Sequence, residues 1–105
     1  MTLEELRTVL TGTGMPVAYL AFLAECPPEM PFLVYEENGS DNFGADNIVY
    51  ASHMRVQVTL FTKLKDRATE KTVEDTLTAA GIYWERTSSY DDSESCYMAV
   101  YDIEI

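Results

Sequence analysis

Residues 54–71 constrain the fold more than any other part of the chain. Met54-Arg55-Val56-Gln57-Val58-Thr59-Leu60-Phe61 alternates strictly, so Val56, Val58 and Leu60 point to one face and Arg55, Gln57 and Thr59 to the other. That period is a half-buried strand, and it fixes a two-faced sheet as the frame of the domain. Directly after it come Lys63, Lys65, Arg67 and Lys71, four of the seven basic residues in the chain. Asp66 then stands as an N-cap for a helix through Ala80, with Val73, Thr76, Leu77 and Ala80 at helical spacing and Gly81 as its terminator.

The flanking sequence supplies further elements of both kinds. Thr2 followed by Glu5 has the spacing of a capping box, and Leu3, Leu6 and Leu10 make one apolar stripe before Gly12 and Gly14. The runs at 17–22 and 32–36 read as strands, separated by the proline-rich connection 26–31. Residues 38–47 are rich in turn formers and acidic, and they predict a loop, with Phe43 as an aromatic in polar surroundings. Extended structure resumes at Ile48. A strand starts at 82–86, Asp91-Asp92-Ser93-Glu94 is a turn, and 95–105 is a long closing strand. The order is α-β-β-β-α-β-β, an α+β class: one largely antiparallel sheet of about five strands with both helices on one face. At 105 residues, a single domain spanning 1–105 is expected.

The charge excludes several functions. With 18 acidic and 7 basic residues the formal net charge is −11. Phosphate-driven binding of nucleic acid and attachment to an anionic membrane both require the opposite sign. No apolar run is long enough to span a bilayer, and the acidic start lacks the basic and apolar regions of a secretory signal. Cys26 and Cys96 are too few and too far apart for a disulfide framework or a zinc motif. His53, the single histidine, has no nucleophile motif near it, and Gly12-Thr13-Gly14 lacks the rest of a phosphate loop. No catalytic, cofactor or metal residue is assigned, and an enzyme is not expected.

Self-association is the remaining reading. The positive run Lys63, Lys65, Arg67 and Lys71 faces two acidic segments that a neighbouring copy would offer: Glu36, Glu37, Asp41 and Asp46 with Phe43 among them, and Asp91, Asp92 and Glu94. A contact between unlike surfaces, repeated by rotation, closes a ring. A small-ligand or regulatory α+β binding domain and an acidic mimic of nucleic acid are the competing readings.

The order and type of several segments carry a resemblance. They are Pro16-Val17-Ala18-Tyr19, Pro31-Phe32-Leu33-Val34-Tyr35, Asn42-Phe43-Gly44-Ala45-Asp46, Val49-Tyr50, the strand 56–62 with Lys65-Asp66, the helix to Leu77, Gly81-Ile82, Glu85 and Tyr101-Asp102-Ile103-Glu104-Ile105. Together they resemble the small tail-completion or head–tail joining proteins, tail terminators among them, of long-tailed phages and prophages of Firmicutes. The resemblance implies a homo-oligomeric ring, often a hexamer, that ends the tail tube and joins it to the head. It also implies contacts with the tail-tube protein and head connector proteins, and DNA passing through the lumen without specific binding. No cofactor comes with it. The location it implies is the host cytoplasm during assembly, then the virion tail or neck.

Overall fold

A computed structural model describes residues 2–19, 29–45, 48–92 and 95–105, and over 40–53 the backbone alone. The element order is α1 (Leu3–Thr11), β1 (Val17–Tyr19), β2 (Phe32–Ala45), β3 (Ile48–Thr62), α2 (Arg67–Ala79), β4 (Trp84–Asp91) and β5 (Cys96–Glu104). The five strands form one sheet in the order β1-β2-β3-β5-β4. The alternating strand at 54–61 is therefore central. Every pairing is antiparallel except β1 with β2, which is parallel. Parallel neighbours cannot be joined by a tight turn, so β1 and β2 are not a hairpin.

Both helices cover the same sheet face. Leu6 and Leu10 of α1 and Val73 and Leu77 of α2 are fully buried, and they pack on Leu33, Tyr35, Val56, Val58, Leu60, Ala99, Tyr101 and Ile103 from three register rows of the sheet. The residues of β3 and β5 with the opposite parity lie on the open face. Register rows cross that face as Phe32, Phe61, Met98 and Ser89, then Val34, Thr59, Val100 and Thr87, then Glu36, Gln57, Asp102 and Glu85. The first two rows are largely apolar and mostly half-buried; the third is acidic.

The helix ends follow local chemistry. Thr2 accepts the amide of Glu5 at 3.1 Å and Asp66 accepts the amide of Thr69 at 3.1 Å, each satisfying an orphan donor of a first turn. At the end of α2 the amide of Ile82 bonds to Leu77 O and that of Gly81 to Thr78 O, both at 3.0 Å. This Schellman closure needs a left-handed residue, and Gly81 provides it at φ +76°. It also turns Ile82 back into the core beside Leu77.

The expected loop at 38–47 is corrected by the fold. β2 continues to Ala45 and pairs antiparallel with β3 from Ile48 on, so residues 38–45 belong to a long strand pair, while 46 and 47 lie outside the described residues. Turn formers concentrate where the hairpin needs them. A register shift falls between Glu37 and Gly39, and Gly39 adopts φ +124° beside Arg55, whose Nη2 lies 3.4 Å from where a Cβ would stand. Beyond that bulge the pairing of Asp41 with His53 and Phe43 with Ala51 is held by the β-prone partner segment 48–54.

Candidate functional site

Two features distinguish this sheet: an ionic cluster between α2 and the β4–β5 pair, and the hairpin that leaves the sheet. The cluster starts from helical spacing. Glu70, Val73, Glu74 and Leu77 occupy one stripe of α2, and all four are buried. Two carboxylates therefore face the sheet, where burial would be costly without partners. Glu70 receives Lys65 Nζ at 2.8 Å and Arg67 Nη1 at 2.7 Å, and Arg86 Nη1 lies 3.3 Å away. Glu74 receives Arg86 Nη1 at 2.6 Å and the buried Tyr101 hydroxyl at 2.9 Å. Lys65 also donates to Ser88 Oγ at 3.2 Å. Among the described residues no buried side-chain polar atom lacks a partner.

The titration of the cluster follows from this geometry. Burial alone would push the Glu70 carboxyl up, but hydrogen bonds from Lys65 and Arg67 and the charges of Lys65 and Arg86 outweigh it and hold the group below the usual carboxylate range. Burial raises the Tyr101 phenol well above its ordinary value, and the bond to the Glu74 carboxylate raises it further. The Glu70 hydrogen bond stabilises the Arg67 cation, and the Thr69 hydroxyl and amide lower Asp66. These paired charges form a clamp between helix and sheet.

This arrangement changes how the basic run is used. Lys65 and Arg67 neutralise their own helix, and Lys71 pairs with Asp75 at 3.0 Å across one exposed turn. Lys63 makes no ion pair among the described residues, and next to it Leu64 is 75% exposed. Of the acidic positions, Glu36 lies on the open face opposite Gln57, and the Glu37 amide lies 3.5 Å from the Tyr19 hydroxyl. Asp41 and Phe43 take backbone positions in the hairpin. Asp91 ends β4 opposite Cys96 and Asp92 follows in the turn. Asp46 and Glu94 lie outside the described residues, as does Cys26. The sequence reading passed over Glu70, Glu74, Arg86 and Tyr101. Their signal was present in the two acids at i and i+4 on the same stripe as Val73 and Leu77.

The hairpin is the second feature. β5 accompanies β3 only from Arg55 to Thr62, apart from a paired bond between Met54 and Ile105, and β1 accompanies β2 only at 33–35. Residues 40–45 and 48–53 therefore continue as a two-stranded arm, roughly 20 Å long at about 3.4 Å per residue. The arm makes the molecule elongated, with principal extents of 49 × 27 × 23 Å. At its base a cleft of about 400 Å³ lies between Asn38, Arg55, Tyr83, Glu85, Asp102 and Glu104. Glu85 and Asp102 stand directly opposite each other there, a like-charge pair that disfavours the sheet.

No family model matches the chain, and no curated protein matches it either. Among the described residues no group of His, Cys, Asp and Glu is arranged to hold a metal ion, and no helix is long and apolar enough to cross a membrane.

Proposed function

We propose that this chain is a structural assembly protein of a long-tailed phage, forming a ring at the tail–head junction that ends the tail tube and joins it to the head. The observation that carries this reading is the arm at 40–53. A two-stranded ribbon alone in water is marginal, so an arm of this length is stabilised by something it reaches. An arm on one side of a subunit that contacts a different surface on the next generates rings. The α+β sheet and the segment pattern support the same reading, and the net charge of −11 suits a lumen through which DNA must pass without adhering. Tail-tube and connector proteins are the partners at the two rims, and the location is the host cytoplasm during assembly, then the virion.

Native mass spectrometry and electron microscopy of the purified chain, alone and with tail tubes, test this. A closed homo-oligomer, or a cap on the tube end, is expected. A monomer at every concentration that also leaves tail tubes uncapped removes the proposal. Within the basic run, Lys63→Glu is the informative charge reversal, because Lys65 and Arg67 are needed by Glu70 and Glu74. Lys63→Glu is expected to weaken assembly with little effect on folding.

A second reading, a small-ligand binding domain, is favoured by the cleft beside Arg55 and Tyr83. A thermal-shift screen against metabolites addresses it: a saturable shift lost in Arg55→Ala supports a ligand, and no shift across the screen removes it.

A further inference from the structure

β4 is an edge strand with an uncharged centre. Among the described residues nothing pairs with its outer edge. Natural edges are blunted by proline, lysine, a bulge or short length. β4 has no proline, lysine or bulge: its register with β5 runs unbroken from Trp84↔Ile103 to Asp91↔Cys96 over eight residues. Its charges, Glu85, Arg86 and Asp91, stand towards its ends, with Arg86 paired to Glu70 and Glu74, and Thr87-Ser88-Ser89-Tyr90 at its centre carries none. A second edge is exposed in the same way. Along Ile48–His53, β3 pairs with β2 on one side and with no described strand on the other. That stretch contains no Asp, Glu, Lys or Arg.

We infer that these two edges belong together: the outer edge of the arm at 48–53 adds, as a strand, to the outer edge of β4 in a neighbouring copy. The inference rests on the ring-forming reading above and names its joint. Charge decides the occupant. Copies at −11 repel wherever their acidic surfaces meet, and 48–53 and Thr87–Tyr90 are uncharged stretches with no described strand on their outer edges. The six arm residues fit within the eight of β4, across its uncharged centre. Pairing β4 with its own copy across a two-fold axis would leave the arm edge open and would stop at a dimer. Pairing arm with β4 fills both edges and continues from subunit to subunit, which is the geometry of a ring.

Cysteine cross-linking of the full chain tests this. Ser88→Cys or Ser89→Cys in β4 is combined with Ala51→Cys or Ser52→Cys in the arm, so that both faces of each strand are sampled; the parent chain with Cys26 and Cys96 sets the background. Residues opposed across added strands have Cα atoms about 5.5 Å apart, within disulfide range. After mild oxidation of the assembled protein, at least one pair is expected to give a non-reducing ladder up to the full ring, while each single-cysteine variant stays at background. Rings by native mass spectrometry with no ladder from any pair would overturn the joint and leave the ring. A covalent dimer from a β4 cysteine alone would overturn it in favour of the two-fold pairing. Absence of any oligomer in the parent chain, with or without tail tubes, would overturn both this joint and the assembly reading.

Discussion

Glu74→Ala isolates the part of the clamp that water cannot repair. In the native chain Glu74 holds Arg86 at 2.6 Å and the Tyr101 hydroxyl at 2.9 Å. Arg86 is 29% exposed at its side chain and also lies 3.3 Å from Glu70, so losing Glu74 leaves it another carboxylate and solvent. That half of the loss is about 1 kcal/mol or less. Tyr101 is fully buried, and its next acceptor, the Glu70 carbonyl, is 3.4 Å away. A buried donor left with so long a contact costs about 1–3 kcal/mol. The sum is about 1–4 kcal/mol, with a central value of about 2.5, less a few tenths returned by the helix propensity of alanine. Tyr101→Phe removes the donor, so Glu74→Ala in that background is expected to cost only about 1 kcal/mol. A double-mutant cycle read by urea unfolding, at dilutions where the midpoint no longer depends on protein concentration, should give a coupling of about 1.5 kcal/mol. Additivity to within about 0.5 kcal/mol would refute the assignment of the hydroxyl–carboxylate bond as a stabilising contact.

Three further outcomes follow from the same structure. The Glu70 carboxyl is held low in the folded chain, so the unfolded chain takes up its proton first as pH falls; the stabilisation is complete above about pH 5 and is lost as pH drops through the lower folded value. Urea midpoints across pH should therefore show the gap between the native chain and Glu70→Gln closing from about pH 5 downward, and a gap independent of pH contradicts the ion-pair account. Gly81→Ala meets no atom within 4 Å but places a side chain at φ +76°, and a loss of about 1 kcal/mol, near 5 °C in melting temperature, is expected by calorimetry. Leu77→Ala opens a cavity at a fully buried position where α2 meets the sheet and should cost about 3 kcal/mol in the same urea assay.

The clamp also changes the electrostatic argument for assembly. Lys65 and Arg67, drawn from the most basic stretch of the chain, are satisfied within the subunit, and so is Arg86. On the proposed assembly reading, contacts between copies would depend on backbone edges and a few exposed residues, Lys63 and Leu64 among them, more than on a broad positive surface. Strand addition of this kind is directional and tolerates a large negative charge, provided that the paired segments are themselves uncharged.

Local chemistry made most of the architecture legible. The alternation at 54–61 marked the central strand, Thr2 and Asp66 marked the helix starts, and Gly81 marked the end of α2, because each of these signals acts within a few residues of backbone. Non-local partners were not legible in this way. Residues 38–45 have the composition of a loop and become strand only because 48–54 pairs with them. The parallel pairing of β1 with β2 is likewise a relation between strands that neither strand's own sequence carries. The acids of α2 looked like solvated helix residues until Arg86 and Tyr101, brought from β4 and β5, made their burial possible. Sequence alone determined the two helices, the central alternating strand and the apolar face of each, since those depend on spacing along the chain. The tertiary structure decided that the basic run at 63–71 is largely spent inside the subunit, and that the outer edges of β4 and of 48–53 have no described strand beside them. Both depend on pairings between residues far apart in sequence, which spacing does not encode.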